Sequence, residues 1–254
     1  MSDAMRDLPI GPEVPAHEAS RPSRTRLEGR DVVLVPIDVA AHGPQLYALS
    51  HGPEREAQWM YLWDGPYPTQ DAFLENLAIK AASEDPFFFS ILERATGHAV
   101  GVASYLRITP KDRVIEVGSI LFTPRLQRTR GATEAMYLMA RHAFEALGYR
   151  RYEWKCNALN APSRRAAVRL GFQFEGIFRQ HMIVKGRSRD TAWFAMLDRD
   201  WPAIRAGYDA WLDPANFDAD GRQRTPLRMP SIAAPVLPAP GRPVLRLDKR
   251  FSPS

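Results

Sequence analysis

Cysteine is almost missing from this chain: Cys156 stands alone among 254 residues. A single thiol makes no internal disulfide and no thiolate metal cluster. Cys156 is expected as a small buried apolar residue, the alternative being a reactive thiol. The six histidines, at 17, 42, 51, 98, 142 and 181, show no ligand spacing, so no metal is expected. Long apolar runs are also lacking. No stretch approaches the ~20 residues that span a bilayer, which argues against a membrane partner. The opening MSDAMRDLPIGPEVPAHEAS carries acidic residues and no apolar core, unlike a secretory signal. A cytoplasmic protein is the expectation.

Negative charge is in modest deficit, with 34 Lys and Arg against 29 Asp and Glu, a net charge of +5. Residues 213–254 hold seven Lys or Arg against four Asp, so about three of the surplus charges sit in that tail. No aromatic-interleaved basic run occurs in the middle of the chain, where base stacking would need one. Nucleic acid is therefore not an expected partner. Proline divides the chain: residues 1–26 and 213–254 contain twelve of the 22. Each proline removes a donor and fixes φ, so both ends are expected to be extended or flexible. Residues 27–212 form the predicted single domain. Val244, Leu245, Leu247 and Phe251 would serve as apolar anchors if the tail wrapped a neighbouring subunit in a homodimer.

Between the ends the hydrophobic period alternates. Strands are predicted at 31–38, 86–94, 98–108, 114–122, 150–158, 172–184 and 188–199. Helices are predicted at 43–50, 69–85, 132–147 and 162–171, the third closed by Gly148 in the C′ position. Ala95-Thr96-Gly97 and the segment 109–113 read as hairpin turns. The fold class is α/β (α+β), a mostly antiparallel sheet of about six to seven strands flanked by helices.

One stretch poses a question. PRLQRTRGATEAMYLM, residues 124–139, puts Arg125, Arg128 and Arg130 before an apolar helix, where the helix dipole favours negative charge. The negative charge can come from a ligand. Backbone N–H groups leading into a helix N-terminus form an anion-binding concavity, and Gly131 and Ala132 are small enough to admit a phosphate. Thr133 is a candidate cap and Glu134 an ordinary first-turn acid; an exposed basic turn before a capped helix is the alternative. A second stretch, NALNAPSRRAAVRLGFQFEG (157–176), repeats Asn157, Asn160 and Ser163 between a strand and a helix. A helix cap needs only one of them.

The two stretches together resemble the GNAT superfamily of N-acetyltransferases, most closely the Rim-type enzymes that acetylate ribosomal-protein N-termini. In that family a Q/R-x-x-G-x-G/A loop binds the coenzyme A pyrophosphate, and a later N-x-x-S…L-G-F segment holds the pantetheine arm. Gln127, Arg128, Thr129, Arg130, Gly131, Ala132 and Thr133 are similar to the first. Asn160 and Ser163 with Leu170-Gly171-Phe172 are similar to the second, preceded by Asn157. The likeness covers about residues 27–200. It departs at Arg130, where the family has its first loop glycine. If that position requires φ > 0, arginine costs on the order of 1 kcal/mol or more. Either a reshaped loop would then turn the guanidinium onto phosphate, or coenzyme binding would be weakened.

The resemblance implies acetyl-CoA as co-substrate, no metal, and a primary amine as acceptor: a protein N-terminal α-amine or a small-molecule amine. It places the bulged strand at Ile120, Leu121 and Phe122, whose backbone would face pantetheine and the thioester carbonyl. It makes Glu116 a candidate base, against a solvent-facing strand residue. Ser163 becomes a candidate acid toward the leaving thiolate, against a cap or a pantetheine contact. No tyrosine stands at the family's usual acid position after Asn160. Arg164 and Arg165 read as a solvated helix face or as contacts to the 3′-phosphate. Trp59, Tyr61, Trp63, Tyr67, Phe178, His181 and Trp193 are expected around the acceptor, or in the core. The alternative function is a non-catalytic acyl-CoA-binding protein, favoured by Arg130.

Overall fold

The computed structural model describes residues 11–232. The apolar anchors proposed at 244–251 lie outside these residues. Eight strands form one sheet in the order β1-β2-β3-β4-β5-β6-β8-β7. They are β1 (Leu27–Glu28), β2 (Val32–Pro36), β3 (Phe87–Glu93), β4 (Ala99–Thr109), β5 (Val114–Phe122), β6 (Arg151–Asn157), β7 (Gln173–Val184) and β8 (Arg187–Leu197). Every pairing is antiparallel except β5 with β6. The predicted mostly antiparallel α/β class is the observed one, with one strand more than the upper expectation. The extra strand is the two-residue β1, too short to show a period.

Among the described residues four α-helices lie between strands, α1 (Val39–Ser50), α2 (Gln70–Ala82), α3 (Arg130–Arg141) and α4 (Ala161–Arg169), and α5 (Trp201–Leu212) follows β8. The helix predicted at 43–50 starts earlier, because the Asp38 side chain caps it by accepting from the Ala41 N–H. Pro44 lies only one turn inside. The third helix also starts earlier than predicted. Thr129, not Thr133, is its cap and accepts from the Ala132 N–H. It runs on through a π-helical turn, His142–Ala146, and Gly148 follows at φ 78°. α5 carried no strong signal, but it buries Trp201, Ile204, Tyr208 and Trp211.

The sheet has a core on each face. On one, α3 and α5 bury Leu138, Met139, Tyr208 and Ile204 against Tyr105, Ile115, Tyr152 and Phe172. The Tyr105 hydroxyl donates to the Met139 carbonyl at 2.7 Å. On the other, α1 and α2 bury Leu46, Phe73 and Leu77 against Phe88, Val102 and Leu121. A buried aromatic or leucine of this kind contributes roughly 1.5–3 kcal/mol by burial. The terminal segments join this frame. Ser20 donates its amide to Leu147 and Arg24 reaches the Ala81 carbonyl. Leu227, Met229 and Ile232 pack on the first core.

Glu134 is not an ordinary first-turn acid. It is buried and accepts from the backbone N–H groups of Arg30 (2.7 Å), Asp31 (2.7 Å) and Val32 (2.9 Å). It thus pins the start of α3 to the turn before β2. Gly29 must be glycine there, since a Cβ would stand 2.6 Å from the carboxyl. Gly131 has a similar duty: its Cβ would meet Val32 at 2.8 Å. Its smallness therefore serves helix packing, whatever else approaches it.

Candidate active site

The parallel pairing of β5 with β6 stops early. It runs from Val114–Arg151 to Val117–Trp154 and no further. Beyond it, Gly118–Phe122 stay on β4 and Lys155–Asn157 stay on β8, so the two strands part and open a wedge in the sheet. A bulge causes the parting. Between the pairs Val102–Leu121 and Ser104–Gly118, β5 contains one residue more than β4. Ser119 takes the left-handed conformation there, at φ 49°.

The bulge leaves backbone groups for a ligand. The Thr123 amide donates to the Val100 carbonyl. Antiparallel alternation then turns the Phe122 amide and carbonyl away from β4 and into the wedge. The Gln127 side chain already holds the Phe122 carbonyl at 2.7 Å. Two helix N-termini face the same opening. α3 follows β5, and the Arg128, Arg130 and Gly131 amides have no acceptor among the described residues. α4 follows β6, with Asn160 accepting from the Ser163 N–H at 3.1 Å. Asn157 accepts from the Leu159 N–H at 2.9 Å. The Ser163 hydroxyl accepts from the Trp154 indole N–H at 3.0 Å, so its own proton remains available.

The sheet face away from α3 is charged where β5 and β6 part. Glu116 is buried, and its Oε2 takes Lys155 Nζ at 2.9 Å and Arg107 Nε at 3.6 Å. Its Oε1 has no partner among the described residues and lies beside Gly118, where the wedge begins. Burial raises the Glu116 carboxyl above its ordinary range, with Lys155 and Arg107 pulling the other way. Lys155 also reaches Glu153 at 2.6 Å, and its ammonium lies 3.7 Å from the Trp193 ring centroid. Phe178 and His181 pack on Trp193 at 4.5 and 5.9 Å. Desolvation, then Arg189, Arg107 and Lys155, hold the His181 imidazole below its ordinary range.

A strap crosses this face. Lys185, at the turn between β7 and β8, donates to the carbonyls of Trp59 (2.8 Å), Asp64 (3.0 Å) and Gly65 (2.7 Å). Beneath residues 59–65 a cavity of about 280 Å³ extends to Ser119 and Leu121 of the bulge. A larger cavity, about 750 Å³, lies at the other end of β5 and β6 and contains no predicted site residue.

An acetyltransferase (GNAT) domain model matches residues 31–173. The chain belongs to the GNAT acetyltransferase family. It is 46% identical to a GCN5-related N-acetyltransferase from Brucella melitensis, whose structure superposes with a TM-score of 0.81. That match covers 83% of this chain and 96% of the other. A Bacillus licheniformis protein named uncharacterized N-acetyltransferase p20 is 31% identical over 114 residues, 44% of this chain and 63% of that relative. The Bacillus subtilis uncharacterized N-acetyltransferase YoaA is 30% identical over 41% of this chain and 58% of its own. The chain thus spans somewhat under two thirds of the curated relatives it matches. GNAT enzymes are N-acetyltransferases that use acetyl-CoA as co-substrate.

Within this GNAT domain the predicted residues gather at the wedge from both sides. Ile120 lies in the bulge and Leu121 and Phe122 directly follow it, and residues 127–133 form the turn and the first helical positions of α3. Asn157, Asn160 and Ser163 flank the entrance to α4. The expectation for Arg130 is corrected. The left-handed residue is Arg128, at φ 62°, while Arg130 is the first residue of α3 and bears no strain. Its guanidinium pairs with Asp31, Nε to Oδ2 at 2.5 Å, and stacks 4.7 Å over Phe217. In the described chain the guanidinium is thus engaged by Asp31 and Phe217. Thr133 is buried and accepts from Arg169 at 3.0 Å. Arg164 and Arg165 are exposed.

The aromatic set divides. Trp59 is buried with its indole N–H on the Ser50 carbonyl, and Tyr67 packs edge-on against it; both belong to the core. Phe178, His181, Trp193 and Trp63 belong to the cleft. Lys155, Arg107, Arg189 and Lys185 were not read from the sequence as site residues. A basic residue inside a strand is the only local signal that Lys155, Arg107 and Arg189 carry, and Lys185 sits in the turn between β7 and β8.

Proposed function

We propose that this chain is an acetyl-CoA-dependent N-acetyltransferase acting on a primary amine held between the 59–65 strap and the β7–β8 hairpin. The observation that carries this reading is the wedge, with a bulge on one wall and a helix N-terminus on each strand's continuation. Acetyl-CoA would supply the activated acetyl thioester. The residues present suit it: the unpartnered Phe122 amide offers a hydrogen bond to an extended arm, and the α3 amides offer an anion site. Ile120, Leu121, Phe122, Asn157 and Asn160 would line the arm, with Gln127, Arg128, Thr129, Arg130, Gly131 and Ala132 around the phosphates and the buried Thr133 packed behind them on Arg169. In that last set Arg130 contributes its backbone amide.

Glu116 would accept the amine proton through water. Its unpartnered Oε1 at the head of the wedge supports that role, and Lys155 and Arg107 favour the ionised form that a base requires. A backbone N–H of the bulged strand would stabilise the oxyanion. Ser163 would return a proton to the thiolate, because Trp154 fixes its oxygen and leaves its hydrogen free. The resemblance of the Asn160–Ser163 segment to Rim-type enzymes supports a protein N-terminal α-amine as acceptor; a small-molecule amine suits the roofed cleft. The acyl-CoA-binding alternative loses its main support with Arg130 seated normally in α3.

Calorimetric titration with acetyl-CoA, followed by thiol release across an amine panel, tests this. Micromolar coenzyme binding with amine-dependent release is the expected result. Coenzyme binding without release for any amine would leave the binding-protein reading instead.

A further inference from the structure

Arg189 on β8 is the one strongly buried cation of the cleft that none of the roles above employs. It is 7% exposed, yet among the described residues no carboxylate lies within ion-pair distance of it. Its Nε donates to the Thr191 hydroxyl at 3.2 Å, and its guanidinium lies 5.0 Å over the Trp63 ring. The two terminal nitrogens donate to nothing in the described chain. Burying an arginine without a counter-charge is costly, and such groups normally stand paired.

Neighbouring acids do not supply the missing charge. Glu116 is taken by Lys155 and Arg107, and Glu153 by Arg151 and Lys155. Asp64 on the strap is held by Lys80 at 2.7 Å. His181, which shares the Thr191 hydroxyl at 3.0 Å, is kept toward its neutral form by desolvation and then by the surrounding cations. The cleft face therefore has more cations than its own acids balance, and the surplus is concentrated in a planar, two-pronged donor fixed by Thr191 and Trp63. A guanidinium so held matches the two oxygens of a carboxylate or phosphate.

We infer that Arg189 is the receptor for an anionic oxygen group on the acceptor, so that the amine substrate also bears a carboxylate or a phosphate. Calling that molecule the acceptor rests on the acetyltransferase reading; the anion site itself does not. The site lies on the sheet face opposite α3. It is therefore distinct from the α3 amides proposed for the coenzyme phosphates.

The test uses matched probes on the full chain, read by quenching of tryptophan fluorescence, since Trp63 lies against the guanidinium. The pairs are phenylalanine against phenylalaninamide, and phosphoethanolamine against ethanolamine. The anionic member of at least one pair should bind about tenfold or more tightly than its neutral partner. The pair that shows the larger ratio identifies carboxylate or phosphate as the group. Arg189→Gln should abolish that preference while leaving affinity for the neutral probes unchanged, and Arg189→Lys should retain part of it. Acetyl-CoA affinity, measured by calorimetry on the same variants, should not move. Equal or absent binding of both anionic probes would overturn the inference, as would a preference that survives Arg189→Gln. Loss of coenzyme affinity in step with the probe would assign the arginine to the coenzyme and overturn it equally. If acetyl-CoA fails to bind but the anion preference holds, the transferase reading falls and the anion site stands.

Discussion

Two buried glutamates bound the stretch from β5 into α3, and their surroundings contrast. Glu134 spends both oxygens on three backbone N–H groups of the turn before β2, in a contact that closes over with Gly29. Glu116 pairs one oxygen with side-chain cations and leaves the other bare beside the wedge. The first arrangement is saturated and holds the fold. The second is incomplete and suits proton traffic. The lesson is that burial of a carboxylate does not mark a site; unspent hydrogen-bonding capacity does.

Replacing Glu134 by Ala should give the largest effect and break the structural half of this contrast. Three backbone amides, that of Val32 buried, lose a charged acceptor, so stability should drop by on the order of 3 kcal/mol in urea unfolding. Next, Glu116→Gln should lower turnover about 10²-fold at neutral pH, worth ~2.7 kcal/mol in the barrier. Coenzyme affinity should stay within about twofold. An equal loss of both in calorimetry and steady-state kinetics would put Glu116 with Glu134 as a purely structural group.

Arg130→Gly sharpens the comparison from the helix side. It removes the Asp31 pair and puts glycine at the first helical position, a cost of roughly 1–2 kcal/mol. Acetyl-CoA binding should persist, because only the side chain is lost and the backbone amide remains. A large gain or loss of affinity in calorimetry would contradict the seating of Arg130 in α3. The smallest effect concerns two histidines with lowered pKa. His142, which directly follows α3, faces the Tyr105 hydroxyl, and burial alone keeps its imidazole below the ordinary value of 6.5. Stability from such a group is present above pH 6.5 and lost as pH falls through its folded pKa. Melting temperature should therefore decline between pH 7 and 5, and His142→Gln should flatten that slope. His181 instead owes part of its shift to cations, so Arg189→Gln should raise its NMR titration midpoint and leave that of His142 in place.

Much of the fold was legible because the signals are local. The hairpin at 95–97, the cap at Thr69 and the glycine at 148 act within a few residues, and strands and helices fell near their predicted places. Errors arose where two local signals competed. Thr129 and Thr133 are both plausible caps, and the buried environment of Thr133 excludes it. Arg130 looked like a strained loop residue because the motif spacing was read without the register of the turn.

The sequence alone determined the alternation of elements, the proline-poor composition of the central 186 residues and the paired motifs that mark the family. Tertiary structure alone decided which charges meet. Glu116 and Lys155 are 39 residues apart and touch only because a parallel ladder sets their strands side by side. Arg189 reaches the strap at Trp63 only because the β7–β8 hairpin crosses the cleft. Side-chain period gives the face on which a residue falls. Strand order and register give its neighbours, and neither is written in the period.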